Sequence, residues 1–156
     1  MRTALTLSAI IICMLSSANA QPEEGCLQEA LYFEARSEGW RGMLAVGIVI
    51  RNRVASENYP SSYCGVVRQG YYRNGNPIIG LCQFSYWCDG KHERPAEKQP
   101  WHDARGVAKI IMSTEVEIVG LEGITHYHAT WVRPDWIDEM KLRGKIGQHI
   151  FYSRVN

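Results

Sequence analysis

Between residues 42 and 56 the chain carries Met43, Leu44, Val46, Ile48, Val49, Ile50 and Val54, an apolar set that covers nearly every direction around a helix. A surface helix has an apolar stripe and a polar face, whereas a helix apolar all round has to be enclosed by other elements. The rest of the chain must therefore wrap this segment. Its carboxyl end turns polar at Arg51, Asn52 and Arg53. Residues 25–38 read as a preceding helix, with Leu27, Ala30 and Leu31 on one side and Gly39 as its stop. Pro100-Trp101 opens a third helix that places Trp101, Ala104, Val107, Ala108 and Ile111 on one face. Thr125–Thr130 and His149–Ser153 read as short strands rich in β-branched and aromatic residues. The stretch from Glu57 to about Pro100 reads as irregular. The expected class is α+β, a helix-dominated single domain with a small β region.

The amino terminus sets the compartment. Arg2 is followed by an almost wholly apolar run, Leu5 to Leu15, and then by small residues ending Ala18-Asn19-Ala20. That order matches a secretory signal peptide over residues 1–20 with an A-x-A cleavage site. The run is too short for a membrane-spanning helix, which needs about 20 apolar residues. Residues 21–156 then form the working domain, with no stable membrane insertion once the leader is removed, in the periplasm or outside the cell. Loss of Arg2 brings the 17 basic residues to 16, against 16 acidic ones. A neutral chain has no net field to draw it to nucleic acid or anionic lipid. It keeps Cys26, Cys64, Cys82 and Cys88, and an even number in an exported chain argues for two disulfides. Of the three connectivities we favour Cys26–Cys64 with Cys82–Cys88. The spacing lacks the close C-x-x-C pairs of a zinc cluster.

Glu34 is the most informative single residue. Leu27, Leu31, Glu34 and Glu38 follow a 4-3-4 spacing that puts them on one helix face, and that face is the apolar one. A carboxyl in an apolar site resists ionisation, so its pKa rises towards what a general acid requires. A structural alternative is a buried Glu satisfied by Arg36, Arg51 or Arg53. Glu38, nearer the helix end, is a second carboxylate, a substrate ligand or a solvated residue. In Cys82-Gln83-Phe84-Ser85-Tyr86-Trp87-Cys88-Asp89-Gly90 aromatic rings alternate with amide and hydroxyl groups. Sugar rings, with flat C–H faces and a hydroxyl rim, suit such a surface, though a stapled turn with its aromatics in the core reads the same way. In Thr125-His126-Tyr127-His128-Ala129 the strand period places His126 and His128 on one side and Tyr127 on the other. The histidine pair has the pattern of two metal ligands but no third at diagnostic spacing, so we expect no metal. Trp131, Pro134 and Trp136 follow at once, and His92, His102 and His149 are scattered.

Taken in order, these segments resemble the SleB-type cell-wall hydrolases, the spore-cortex-lytic enzyme family. The resemblance is carried by Tyr32-Phe33-Glu34-Ala35-Arg36-Ser37-Glu38, Gly42-Met43-Leu44-Ala45-Val46 and Asn52-Arg53-Val54. It continues through Cys64-Gly65-Val66-Val67, Cys82-Gln83-Phe84-Ser85 and Cys88-Asp89-Gly90. It closes with Thr125-His126-Tyr127-His128-Ala129, Val132-Arg133-Pro134 and Ile146-Gly147-Gln148-His149-Ile150-Phe151. It implies a lysozyme-like fold and cleavage of peptidoglycan between N-acetylmuramic acid and N-acetylglucosamine, with Glu34 as acid and no cofactor. Members often act as lytic transglycosylases, which leave a 1,6-anhydro sugar, and a hydrolytic muramidase is the alternative. The family's E-A-R-G-E motif has Ser37 in place of Gly here, and Trp40 stands where many members are plainer; both bear on the rim of a groove. The residues expected to meet the glycan are Glu38, Gln83, Phe84, Ser85, Asp89, His126, Tyr127, His128 and Trp131. A zinc-dependent peptidoglycan amidase using His126 and His128, and a non-catalytic glycan-binding module, are the rivals from other classes. No protein partner is indicated.

Overall fold

The computed structural model describes residues 20–113 and 116–155. Residues 1–19 of the segment read as a signal peptide lie outside this range. Helix α1 spans Ala20–Ala35 and α2 spans Gly39–Val54, with a 3₁₀ turn, Arg36–Glu38, between them. The first helix thus stops three residues short of the expected end. α2 is enclosed as its sequence requires: Met43, Ala45, Val46, Ile48, Val49 and Ile50 are all buried. α1 covers it with Leu27, Ala30, Leu31 and Ala35, and α4 (Lys98–Ser113) with Ala104, Val107, Ala108 and Ile111. Gly47 lets α2 and α4 close on each other, since a Cβ there would meet Ile111 Cγ1 at 2.8 Å.

The stretch from Glu57 to Pro100 is not irregular. It contains α3 (Tyr63–Val67), the antiparallel hairpin β1 (Gly70–Arg73) and β2 (Asn76–Cys82), and a 3₁₀ turn at Ser85–Cys88. Ser62 caps α3 by accepting from the Gly65 N–H. Asn74 and Gly75, both at positive φ, form the hairpin's tight turn. Asn-Gly is the strongest short hairpin signal. It is masked here because the flanking strands are exposed almost throughout and have no apolar alternation to bury.

Three strands form the second sheet in the order β3-β5-β4, all antiparallel: β3 His126–Ala129, β4 Met140–Ile146 and β5 His149–Arg154. β4 is absent from the sequence reading, although Met140, Leu142 and Ile146 recur at even spacing among Lys141, Arg143 and Lys145. Among the described residues no helix is long and apolar enough to cross a membrane. The helix-dominated α+β, lysozyme-like class is the one observed.

Both disulfides have the expected pairing. Cys26–Cys64 ties α1 to α3 across 38 residues, and Cys82–Cys88 staples the end of β2 to the 3₁₀ turn across 6. Closing the longer loop removes more freedom from the unfolded chain, about 4 kcal/mol against about 2 kcal/mol for the shorter. The Cys26→Ser/Cys64→Ser variant should therefore lose roughly twice the stability lost by Cys82→Ser/Cys88→Ser, as read by urea denaturation.

Candidate functional site

The polar end of α2 builds the site. Asn52 Nδ2 donates to Ile124 O at 2.8 Å and Arg53 Nε to Thr125 O at 2.7 Å. Two side chains of one helix thus grip the backbone immediately before β3 and set where His126, Tyr127 and His128 begin. Tyr127 points back at the helices, and its hydroxyl donates to Glu34 Oε2 at 2.8 Å. Glu34 comes from the last turn of α1, whose neighbouring face is core, so its carboxyl is held between a helix and a strand.

Two clefts meet at this carboxyl. One, of about 270 Å³, runs from Glu34 and Arg53 past Tyr127 to His126, His128 and Trp136. The other, of about 390 Å³, runs from Glu34 past Tyr86 to Asp89, Lys91 and Glu93. Ser85 lines both, and Gln83 lines the first. Glu34 therefore sits at the saddle of one continuous groove, which is where a bond between two bound rings would lie.

Burial dominates the electrostatics. It raises the Glu34 carboxyl above the ordinary carboxylate range, and the Tyr127 hydrogen bond and the Arg53 charge only partly oppose it. Burial and the adjacent Glu34 in turn raise Tyr127 well above the usual phenol range, so it stays a donor. Arg53 is buried, its guanidinium 5.2 Å from the centre of the Tyr59 ring and 5.5 Å from that of Phe84. Burial, then Arg53 and Arg154, push His126 down to about 4, so this imidazole is neutral at physiological pH.

The structure gathers most of the expected residues and separates others. Gln83, Ser85, Asp89, His126, Tyr127 and His128 line the groove. Asp89 also holds its own turn by accepting from the Lys91 N–H at 2.8 Å. Phe84 is a correction: it is only 1% exposed and forms the floor under Arg53, so no sugar can stack on it. Trp131 is exposed away from the groove wall, where Val132 and Trp136 stand instead. Glu38 is not one helical turn from Glu34, because the helix has already ended. Its Oε2 accepts from the Gln148 N–H at 2.9 Å, in the β4–β5 turn. His149, which sequence spacing left as scattered, lines the groove beside Tyr127. Arg53, one of the three arginines the sequence offers as a partner for a buried Glu34, lines the groove beside it and partly opposes the rise in its pKa.

The histidine pair is occupied by protein. His126 Nδ1 lies 2.9 Å from Thr125 Oγ1 and His128 Nε2 lies 3.0 Å from Tyr152 Oη, while His128 Nδ1 meets Ala129 O at 2.9 Å. Among the described residues no group of three or more His, Cys, Asp and Glu side chains is arranged to hold a metal.

Two outcomes follow from the burial of Glu34. Because its folded pKa is raised, the native state holds this proton more tightly than the unfolded chain does. Its contribution to stability is complete below the unfolded pKa and is lost as pH rises through the folded value. Glu34→Gln should therefore melt at a higher temperature than wild type at about pH 8, with the gain vanishing towards about pH 4. Removing the Tyr127 hydroxyl removes a group that lowers the Glu34 pKa, so in Tyr127→Phe the alkaline limb of any Glu34-dependent activity should move to higher pH. A downward move would contradict the hydrogen bond's role.

A family model described as cell wall hydrolase matches residues 37–152, beginning just past Glu34. No curated protein matches the sequence. The fold is similar to the catalytic domain of the Bacillus cereus SleB protein, with 23% identity over 85% of this chain and 91% of that one, at a TM-score of 0.59. It is also similar to the catalytic domain of the germination-specific lytic transglycosylase SleB from Bacillus anthracis. There the identity is 24% over 89% of this chain and 100% of that one, at a TM-score of 0.62. With most of its length matched and the fold shared, the chain belongs to the cell wall hydrolase family.

Proposed function

We propose that this protein cleaves the glycan strands of peptidoglycan between N-acetylmuramic acid and N-acetylglucosamine as a lytic transglycosylase, with Glu34 as its single acid and base. The observation that carries the reading is the position of Glu34: a carboxyl whose proton affinity is raised by burial, at the junction of two clefts. A glycan threaded through the groove presents its glycosidic oxygen there, and Glu34 protonates it as the bond breaks. The positive charge developing on the muramic acid ring is met by the ionised Glu34. The same carboxylate then takes the proton of the sugar's own 6-hydroxyl as that oxygen attacks the anomeric carbon, which closes the 1,6-anhydro ring. The nucleophile is tethered to its target, and such intramolecular attack carries effective molarities of about 10⁵–10⁸ M when well oriented.

Hydrolysis needs a second carboxylate across the sugar from the acid. Among the residues that line the cleft of Tyr127 and the histidines, Glu34 is the one carboxylate. Asp89 and Glu93 line the other cleft, and this favours a hydrolytic muramidase as the second reading if the reacting sugar binds there. The similarity to the Bacillus anthracis lytic transglycosylase supports the first. Two disulfides and a leader-like amino terminus support a periplasmic or extracellular site of action, where such bonds persist.

Purified sacculi digested with the enzyme should release muropeptides lighter by one water than lysozyme products and inert to borohydride. Glu34→Gln should remain folded and lose about 10²–10⁴-fold in turnover, the usual worth of a general acid. Products reducible by borohydride would establish the muramidase, and wild-type turnover in folded Glu34→Gln would remove Glu34 from the chemistry.

A further inference from the structure

Behind the strand that carries Tyr127 lies a third and larger cleft of about 680 Å³, between the segment after α2 and the outer ends of β4 and β5. Lys141, Arg143 and Arg154 line it, and Glu122 is its one acid. Glu122 Oε2 is taken by Arg143 Nη2 at 2.5 Å. Lys141 and Arg154 have no carboxylate partner among the described residues, so the described lining of the cleft carries two positive charges in excess, in a chain whose formal charge is only +1. Ser56 and Ser153 add hydroxyls between them.

This cleft adjoins the catalytic groove through a thin wall. Thr125 lines the cationic side and His126 the catalytic side, and the two side chains are bonded at 2.9 Å. Tyr59 completes the wall. Its hydroxyl lies 3.5 Å from His126 Nε2, and the Arg154 guanidinium lies 6.0 Å from its ring.

We propose that the cationic cleft binds carboxylates of the peptide stems that branch from the glycan strand. The inference rests on peptidoglycan being the substrate. The sugars that pass Glu34 carry no charge to meet Lys141 and Arg154. The anions of this polymer are on the peptides attached to the lactyl group of muramic acid, beside the scissile bond. A stem leaving the groove at the His126 end crosses the wall at Thr125 and brings its carboxylates to Lys141 and Arg154, while Ser56 and Ser153 meet its amides. Cleavage would then favour peptide-bearing strands, although the chemistry at Glu34 needs no peptide.

The test separates binding from cleavage. The free tripeptide L-alanyl-γ-D-glutamyl-meso-diaminopimelate is titrated into purified protein and followed by backbone NMR. It should perturb amides around Lys141, Ser153 and Arg154, and inorganic phosphate should compete weakly. Lys141→Ala and Arg154→Ala, both at exposed positions, should each weaken the tripeptide about tenfold, the worth of one charge-assisted hydrogen bond. Lys141→Arg should retain binding. On soluble peptide-bearing strands the two alanine variants should raise KM about tenfold at constant kcat. On strands stripped of peptide, which lose the stem carboxylates and keep only the lactyl carboxylate next to the sugar, they should match wild type. The proposal is overturned by the absence of tripeptide binding, by binding indifferent to both substitutions, by phosphate binding in the tripeptide's place, or by equal losses on both substrates. Tripeptide binding is read without any turnover, so a protein that binds it at this cleft but cleaves no glycan would refute the glycosidase reading alone.

Discussion

One hydrogen bond joins the two halves of the site: the Tyr127 hydroxyl to Glu34 Oε2, from the sheet to the last turn of α1. A buried carboxyl is costly unless it is protonated or satisfied, and Tyr127 satisfies one oxygen while leaving proton affinity high. The bond has the right length only if β3 lies at a set height against the helices. That height is fixed from α2, where Asn52 and Arg53 hold the carbonyls of Ile124 and Thr125. α2 can serve as the reference because its middle, Ala45 to Ile50, is buried on every side in a close-packed core. The apolar run that most constrains the fold is thus also the ruler that spaces acid from strand.

A second clasp acts at the other end of the sheet. Glu38, in the turn between α1 and α2, accepts from the Gln148 N–H. Gly147 beside it has φ +54 and a Cβ position that would lie 1.5 Å from Glu38 Oε2. No side chain fits there, so the turn between β4 and β5 presses directly on the helix corner. Gln148 in turn accepts from Thr130 Oγ1 through its own side chain. His149, next in sequence, is thereby held against the Tyr127 ring. The E-A-R-S-E segment therefore supplies two carboxylates in separate places, Glu34 at the groove and Glu38 holding the strand pair opposite.

Much of this was legible in the residues. The buried α2, the apolar face of α4, the number of disulfides and the odd placement of Glu34 on an apolar face all follow from local periodicity or counting; which cysteines pair does not. What escaped has a common physical cause. β1, β2 and β4 are exposed strands with little to bury, so the hydrophobic period that reveals strands is weak in them. Glu38 was misplaced because helical spacing was carried past Ala35, where the helix gives way to a 3₁₀ turn. Phe84 and Tyr127 could not be assigned from alternation alone. Period 2 says that neighbours face opposite sides but not which side is core. His149 had no local signal, since its role depends on β5 pairing with β3.

The opposite bank of the groove is held by different means. Residues 83–97 have no helix or sheet of their own beyond one 3₁₀ turn, yet they carry Gln83, Ser85, Asp89 and Lys91 to the groove. Three tethers replace secondary structure. The Cys82–Cys88 bridge closes the turn, and the Tyr86 ring stacks on Phe33 at 5.0 Å. The Tyr32 hydroxyl accepts from the Ala96 and Glu97 N–H groups at 3.0 Å each. Both aromatic anchors precede Glu34 directly in α1, so the helix that supplies the acid also positions this loop. One bank is therefore referenced to α2 and the other to α1. The width of the groove at Glu34 is then set by the packing of those two helices, whose facing residues Leu27, Leu31, Val46 and Ile50 are all buried. Under the proposed reading, a polymer gripped on both sides of one bond would be held by two banks that are each tied to a helix next to Glu34.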